Sequence, residues 1–476
     1  MRRRVAVSLA TAAALLAGSC AVGPNYKRPP MTIPEQHRFA EGPPQEESLA
    51  DLPWWQVTKD EKLQGLLREA IANNLDLRVA SARVEEARAQ AGVAKSFYYP
   101  EIGAGAGYNA GQVSRLGDPP QPTGDRTFQN WNATFALSWE IDIFGRIRRE
   151  NESAFASYLA TEEGRRGVLV TLVGDVASSY FGLRELDLEL DIAQRTVKSN
   201  DETADYYRKR LAGGVSNRLE LDQAVANRSR TAATIPEIER QIALTENTLS
   251  FLLGRVPGPI QRGTALEDQY MPPSVPAGMP ASLLERRPDV LQAEQQLVAS
   301  NADVGAAKAR FFPSISLTGL LGVVSGPLSD LLKGDATTWS AGANLFQPIF
   351  QGGRIKRNYE ATQARYRQAL AGYQKAALNS YREVADALVS IQKLAAQRVE
   401  FESGVVALRD AGVLARARYD TGLSTYLEIL YADQLLFEQE LQLARVRGGE
   451  LRALVQLYRV LGGGWQAEPA ADQAAK

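Results

Sequence analysis

The sequence predicts an α+β membrane protein in which one design, a helix, two strands and a long helical hairpin, is used twice. Three observations support this prediction: an internal repeat at a constant offset, short stretches whose hydrophobicity alternates with period two, and two stretches of more than a hundred residues without proline. The 476 residues are 45% hydrophobic and 23% charged, with a net charge of -1. This balance gives no electrostatic basis for binding nucleic acid or another polyanion.

The N-terminus has the features of an export signal. Three arginines at positions 2–4 precede an apolar stretch, Val5–Leu16, that is too short to span a bilayer. Small residues then lead to Cys20, the only cysteine, so an intramolecular disulfide is impossible. The context resembles the lipobox of bacterial lipoproteins, although position 17 is Ala instead of the usual Leu, and a chance cysteine in a cleaved peptide is the alternative. We therefore predict a signal peptide at 1–19, acylation of Cys20 and a lipidated N-terminal segment at 20–59.

An internal repeat divides the rest of the chain. Gly145 and Gly353, each followed by an Arg-Ile-basic-Arg run, lie 208 residues apart (353 − 145), and the same offset relates Gly214-Val215-Ser216 to Gly422-Leu423-Ser424. Upstream, Lys95–Pro100 matches Lys308–Pro313 at an offset of 213. The pattern predicts a first repeat at 60–254, a proline-rich linker at 255–282, a second repeat at 283–462 and a tail at 463–476.

The strands are predicted from hydrophobic alternation. Between Trp131 and Ile143 the odd positions are apolar, with Trp, Phe, Leu and Ile, and most of the even positions are polar. The matching stretch of the second repeat alternates in the same way, and the preceding stretches alternate more weakly. Each repeat is thus expected to contribute two strands, at about 101–112 and 130–143, and at about 314–322 and 338–348.

Long helices follow each pair of strands. Apolar residues recur every three or four positions, as in Leu169, Val173, Val176 and Tyr180, which is typical of coiled-coil seams. We predict helical hairpins at 146–253 and 354–461, with turns at Ala212–Asn217 and Thr421–Thr425. The first helix of each hairpin would be about 100 Å long at about 1.5 Å per residue.

Four strands with one apolar and one polar face suit a membrane barrel with an aqueous interior, although the same alternation is compatible with a sheet packed on a core. Membrane barrels begin at about eight strands, and an open edge in lipid would leave backbone groups unpaired. Several chains would therefore share one barrel, in a number that the alternation does not fix.

Four motifs resemble the signatures of TolC-like outer-membrane factors, specifically the lipoprotein branch that serves multidrug efflux pumps. They are Gly23–Pro29, Leu137–Arg146, Glu285–Asp289 and Gln347–Arg354. The resemblance implies a homotrimer with twelve barrel strands, continued by a long α-helical barrel in the periplasm. It implies a passive exit duct in the outer membrane without cofactor or metal. The implied partners are a periplasmic adaptor protein and an inner-membrane transporter of the RND type.

The resemblance also implies a gate and an adaptor-docking surface at the two turns. Tyr419 matches the family's gating tyrosine, Leu427 a position that narrows the pore, and Glu428 an acidic ring position whose first-repeat counterpart is Glu220. Tyr431 stands where relatives have a second acidic residue, and Asp420 where some have Arg. The predicted gate comprises Tyr419, Asp420, Leu427, Glu428, Leu219, Glu220 and Tyr431. The predicted docking turns comprise Gly213, Gly214, Val215, Ser216, Gly422, Leu423 and Ser424.

Two other functions compete with the duct. A lipid-anchored periplasmic hairpin protein, an adaptor or tether without a pore, would share the long helices but would not need four alternating strands. A periplasmic hydrolase is poorly supported, because the only histidine, His37, lies outside any motif. The glycines at 103–107 lack the lysine of a phosphate-binding loop.

Overall fold

The computed structural model describes residues 21–40, 48–52, 59–114, 127–270 and 276–463. The predicted signal peptide, Cys20 and nearly all of the predicted tail lie outside the described residues. Within the described part, no helix combines the length and the apolarity needed to cross a membrane.

The elements follow one another in the same order in both repeats. The helices are α1 Glu61–Asn73, α2 Leu75–Ser96, α3 Arg146–Ala212, α4 Arg218–Ala232, α5 Thr234–Leu252, the short α6 Leu283–Arg286, α7 Pro288–Ala309, α8 Arg354–Asp420 and α9 Tyr426–Val460. The strands are β1 Glu101–Gln112, β2 Thr127–Ile141, β3 Ser314–Ser325 and β4 Thr337–Phe346. The offset of 213 carries both bounds of α2 onto α7 and of β1 onto β3, and the offset of 208 carries both bounds of α3 onto α8.

The return helices of the two hairpins differ. The second is the unbroken α9, whereas the first is divided at Ala233 into α4 and α5. Pro236 explains the break, because it cannot donate an amide hydrogen to a carbonyl of the preceding turn. The single helix expected between the turn and Leu253 is thus two helices.

The four strands form one antiparallel sheet in the order β1-β2-β3-β4. β2 has a partner on both sides, pairing Phe135 with Ala104 of β1 and with Leu321 of β3. One face carries the apolar set predicted from the odd positions of β2, and several of its large side chains are exposed: Ile102, Phe135, Leu321, Trp339 and Leu345. An exposed apolar sheet face of this kind is typical of a surface that contacts lipid or another protein.

The chain forms two compact units, and the sheet belongs to the first, which comprises residues up to 30, 83–161 and 293–373. In this unit the segment 21–30 packs along the helices beside the sheet. The amide of Val22 donates to the carbonyl of Phe144 (3.0 Å), and Arg28 forms a two-pronged ion pair with the buried Glu294 (both 2.7 Å). A side chain on Gly145 would lie 2.7 Å from the Cα of Ala21, so this close approach requires glycine.

The second unit, residues 31–82, 162–292 and 374–476, contains the main apolar core. Fully buried Leu63, Tyr180 and Leu457 lie in it. Beside them the buried carboxylate of Asp60 caps α1 and accepts hydrogen bonds from the Tyr180 hydroxyl (2.8 Å) and the Gln269 amide (2.9 Å). Burial alone would raise the pKa of Asp60, but these hydrogen bonds hold it below its ordinary value.

In each repeat, the residue just before α2 or α7 forms a hydrogen bond with the last residue of the return helix, α5 or α9. We call this contact the joint. In the first repeat the side-chain amide of Asn74 donates to the carbonyl of Leu252 (2.9 Å). In the second repeat Arg287, at the matching position, donates to the carbonyl of Val460 (2.8 Å). The repeat therefore preserves the bonded carbonyl while the donor changes from a neutral amide to a guanidinium.

Candidate functional site: the two helical turns

The two hairpin turns share one hydrogen-bond pattern. After α3, the amides of Gly214 and Val215 donate to the carbonyls of Leu211 and Arg210, each at 3.0 Å. After α8, at the positions 208 residues later, the equivalent bonds measure 2.9 Å. Gly214 and Gly422 have φ values of 72° and 74°, as the left-handed residue of such a helix end requires. Both glycines predicted from the sequence thus end a helix in the same way.

An arginine braces each turn from the preceding helix. Arg210 donates to the carbonyl of Val215 (3.2 Å), and Arg418 to that of Leu423 (3.5 Å). The two arginines are 208 residues apart, so the repeat offset identifies them as a pair, although the sequence motifs did not single them out.

A small apolar cluster joins the two hairpins just behind the turns. Its centre is Tyr207 of α3, whose ring lies 5.9 Å from that of Tyr419 in α8 and 4.5 Å from that of Tyr426 in α9. Tyr207 and Tyr426 are buried, and Tyr419 packs against the edge of the cluster. We call Tyr207, Tyr419 and Tyr426 the tyrosine cluster. It connects the first hairpin to the second within one chain.

The side chains of the cluster influence one another and a nearby acidic residue. Burial, together with the neighbouring Tyr419, raises the pKa of Tyr207, and burial raises the pKa of Tyr426 to about 12. Burial also raises the pKa of Tyr419, and the nearby carboxylate of Glu220 adds to this effect. The three phenols are therefore protonated at neutral pH, with Tyr419 close to Glu220.

The two acidic residues at the predicted gate have different surroundings. Glu220 is half-buried and also accepts a hydrogen bond from Ser216. Glu428, its repeat counterpart, is exposed and forms an ion pair with Arg418 (3.4 Å). The structure thus brings Tyr419 and Glu220 together and leaves Glu428 on the surface of the chain.

The other predicted gate residues lie on the surface of the described chain. Leu219, Leu427 and Tyr431 are 64%, 56% and 66% exposed, and Asp420 is also exposed. Their exposure leaves these side chains free to face other chains or the solvent. Their role in a gate stays a prediction.

The predicted docking turns are mostly exposed. Val215 and Leu423, which occupy equivalent positions, are 64% and 72% exposed, so each turn presents one apolar side chain. Ser216 and Ser424 are half-buried. The two turns therefore offer similar surfaces.

Sequence reasoning missed Tyr207, Tyr426 and the two arginines. Tyr207 and Tyr426 have Ala415 and Arg218 as repeat counterparts, so comparing the repeats does not find them. The signal that would have found them is a run of aromatic residues within two helical turns of each glycine. For Arg210 and Arg418 the repeat offset was sufficient.

Among the described residues, no group of His, Cys, Asp and Glu side chains could hold a metal ion.

Comparisons with known proteins give a consistent family. The family model of the outer membrane efflux protein matches twice, at residues 66–255 and 279–463. The cation efflux system protein CusC of Escherichia coli is 33% identical over 454 residues, 95% of this chain and 98% of that protein. The toluene efflux pump outer membrane protein TtgI of Pseudomonas putida is 34% identical over 465 residues, 96% of this chain and 98% of that protein.

Solved structures agree with these relatives. A structure of the outer-membrane channel OprN superposes with a TM-score of 0.88 at 30% identity, covering 94% of this chain and 100% of that chain. A structure of CusC superposes with a TM-score of 0.84 at 32% identity, covering 93% and 99%. These matches confirm the predicted fold class, the outer-membrane location and the function as an efflux channel, and they do not favour the adaptor or tether.

Proposed function

Because this chain belongs to the outer membrane efflux protein family and is an outer-membrane efflux channel, we propose that three copies form the passive exit duct of a tripartite efflux pump. Each copy contributes its four strands to a twelve-stranded barrel, and its helices to a periplasmic tunnel that is closed at the turns. The duct performs no catalysis. The observation that supports the closed state best is the tyrosine cluster, which packs the first hairpin against the second beside Glu220.

The barrel follows from the sheet. Its outer strands β1 and β4 each have a partner on one side only within the described chain, and its apolar face is exposed. Four strands cannot close on themselves, and lipid provides no partner for free backbone groups. Three sheets give twelve strands, within the range of membrane barrels.

The tyrosine cluster would close the duct by holding the two hairpins of one chain together. Opening the tip requires the hairpins to separate, and this would break the ring contacts of Tyr207 with Tyr419 and Tyr426. Separation would also expose the buried rings of Tyr207 and Tyr426 to water. In the closed state, Leu219, Leu427 and Tyr431 would narrow the pore around the axis, and Asp420 would take part through neighbouring chains.

The partners follow from the exposed turns. Val215 and Leu423 present similar apolar tips in both repeats, so a trimer offers six similar sites to a periplasmic adaptor, with Gly213, Gly214, Ser216, Gly422 and Ser424 completing the surface. We propose an inner-membrane transporter of the RND type as the energy source. Acylation of Cys20 would anchor each chain to the outer membrane.

The cargo is set elsewhere in the pump. Relatives named for cation efflux and for toluene efflux are equally similar to this chain, at 33% and 34% identity. A wide polar tunnel gives little basis for choosing one solute over another, and fold likeness alone does not assign a substrate. Selection is therefore assigned to the inner-membrane transporter.

The test is single-channel recording of purified protein in planar bilayers. Wild-type protein is expected to show a small, mostly closed conductance. Tyr419→Phe removes the hydroxyl that lies near Tyr207 and Glu220, and Glu220→Gln removes the charge of the neighbouring carboxylate, so both are expected to weaken the closed tip and raise the conductance. Glu239→Gln removes an exposed carboxylate from the same hairpin away from the turn and serves as the control.

The acidic residues give a second readout. Glu428→Gln is expected to lower the preference for cations, because exposed carboxylates near the tip attract them. Protein that inserts without any conductance would contradict the duct. Unchanged single-channel recordings for both Tyr419→Phe and Glu220→Gln would show that the tyrosine cluster does not act in the gate. The proposed duct would not be contradicted by that result.

A further inference from the structure

The two outer edges of the sheet have no partner within the described chain. β1 pairs with β2 alone, and β4 pairs with β3 alone. Each free edge therefore presents a row of backbone amides and carbonyls, and each such group costs several kcal/mol when it is left unpaired in hydrocarbon. Both edges consequently need a partner strand in a membrane.

The two hairpins of the sheet have the same register once the repeat offsets are applied. In the first hairpin, Glu101 lies opposite Ser138. Adding 213 to the β1 position and 208 to the β2 position gives Ser314 and Phe346, and these two residues lie opposite each other in the second hairpin. The repeat therefore preserves the strand pairing residue by residue.

The pairing of β2 with β3, which connects the two β-hairpins inside one chain, gives a template for the strand pairing between neighbouring chains. Inside one chain, β2 pairs antiparallel with β3, with Ala133 opposite Val323. The offsets carry Ala133 onto Ala341 of β4 and carry Val323 back onto Ala110 of β1. We propose that β4 of one copy pairs antiparallel with β1 of the next copy in this register, with Ala341 opposite Ala110. The inference rests on the proposed shared barrel and adds its chain-to-chain register.

The inferred register keeps the apolar face continuous. The observed pairs connect Ile102 to Leu137 and Ile315 to Leu345, so even positions of β1 share a face with odd positions of β2, β3 and β4. The pair of Ala341 with Ala110 joins an odd position of β4 to an even position of β1. A slip of one residue would turn one copy's apolar side chains toward the polar face of the next.

Side-chain sizes also suit this register. Leu345 would lie opposite Ala106, as Leu137 lies opposite Gly319 inside the chain. Three further large residues of the two edges would likewise face smaller or polar partners, namely Tyr108 opposite Ala343, Trp339 opposite Gln112 and Phe346 opposite Gly105. Trp339 and Leu345 are 74% and 69% exposed in the isolated chain, so the neighbouring copy would cover part of two side chains that are now largely exposed.

Disulfide trapping in outer-membrane vesicles tests the register. The variant Ala341→Cys with Ala110→Cys places two small-to-small substitutions at a pair whose Cα atoms would lie about 4.5–5.5 Å apart, which suits a disulfide. Mild oxidation is expected to give covalent trimers on non-reducing gels. Ala343→Cys with Tyr108→Cys, the next pair along the same face, is expected to do the same.

Slipped pairs and an internal pair provide the controls. Ala341→Cys with Tyr108→Cys or with Gln112→Cys places the thiols on a diagonal about 7–8 Å apart, where trapping should be much slower. Ala133→Cys with Val323→Cys, the template pair, should form a disulfide within one chain and give no oligomer. The single variants report any linkage through Cys20.

The outcomes separate the register from the duct. Faster trapping of either slipped pair would overturn the register, even though trimers form. A failure of all four β4 and β1 pairs to trap, while the template pair oxidises and wild-type protein conducts in bilayers, would overturn the pairing of β4 with β1 and leave the duct intact. A wild-type protein that does not conduct would remove the proposed duct itself.

Discussion

The two repeats make the same joint with different chemistry. In the first repeat the joint uses the neutral amide of Asn74, which also caps α2 through the amide of Leu77 (2.9 Å). In the second repeat Arg287 is 6% exposed and holds Glu383 and Asp289, each at 2.7 Å, in addition to the carbonyl of Val460. The comparison shows that the fold requires a hydrogen-bond donor at this position and that the donor can be neutral or positively charged.

The same contrast recurs at the turns. The hydrogen bonds of the two turns are equivalent, and so are the bracing arginines. Glu220, however, is half-buried near Tyr419 and accepts a hydrogen bond from Ser216, whereas Glu428 is exposed and paired with Arg418. Duplication has thus preserved the backbone geometry while the side chains have diverged in the contacts they make.

The largest effect should come from breaking the charged joint. Arg287→Met removes the buried guanidinium from Glu383, which is partly exposed and keeps the amide of Asn379 (2.8 Å), so we expect a cost of about 3 kcal/mol, the lower end of the range for a buried ion pair. Asn74→Ala should cost about 1–2 kcal/mol, the usual value for a lost cap and one neutral hydrogen bond. Thermal unfolding followed by circular dichroism in detergent measures both.

Arg286→Met is the matched control for Arg287→Met. Arg286 is its neighbour, is partly exposed and pairs with Asp51 (2.5 Å), so its loss should cost less than about 1 kcal/mol. Equal melting temperatures for the Arg287 and Arg286 variants would contradict the larger cost expected for losing the buried arginine of the charged joint.

A smaller, pH-dependent effect on stability is expected at Asp60 in the first repeat. Asp60 is a buried anion of the first repeat, and its pKa is held below the ordinary value, so its stabilisation is complete above about pH 3.9 and is lost as the pH falls through the folded-state pKa. Asp60→Asn should cost about 1.5–3 kcal/mol at neutral pH, as expected for hydrogen bonds to a charged group. The difference in melting temperature between Asp60→Asn and wild type should decrease as the pH falls from 5 toward 2.

Asn74→Ala provides the comparison for this pH series, because the side-chain amide of Asn74 and the carbonyl of Leu252 that it binds do not titrate in this range. Its own difference from wild type should therefore not follow the titration of Asp60. A difference for Asp60→Asn that stays constant down to pH 2 would show that the Asp60 charge contributes no stability.

The smallest effects are expected at the bracing arginines. Arg210 stacks on Tyr419, with its guanidinium carbon 5.4 Å from the ring centre, so Arg210→Ala should raise the closed-state conductance. Arg418→Ala should instead free Glu428 and raise the cation preference. Both changes should be at most about fivefold, the equivalent of about 1 kcal/mol for a surface contact. Single-channel recordings that show the two effects exchanged between the variants would refute the assignment.

Much of the fold followed from local patterns. The strand containing Trp131 and Phe135 was predictable because its alternation is strong, and the long helices because their apolar spacing is regular and proline is absent. The division at Ala233 was missed because the spacing of apolar residues continues through it, although Pro236 marks the place. The tyrosine cluster depends on side chains brought together from α3, α8 and α9, and no local pattern reports such proximity.

The joint could not be predicted from local sequence patterns either, for a related reason. Asn74 and Arg287 share a position but not a residue type, so the repeat offset aligns them without indicating a common role. Only the bonded carbonyls of Leu252 and Val460 reveal it.

The packing of residues 21–30 has a consequence for how deeply the protein sits in the bilayer. Ala21 lies against Gly145, just beyond the end of β2, and Val22 is bonded to the backbone there. A fatty acyl group on the preceding residue would be separated from this contact by one peptide unit, about 3.8 Å. Its hydrocarbon tails would then enter the leaflet beside the barrel wall, so the anchor would set the vertical position of the channel instead of serving as a loose tether.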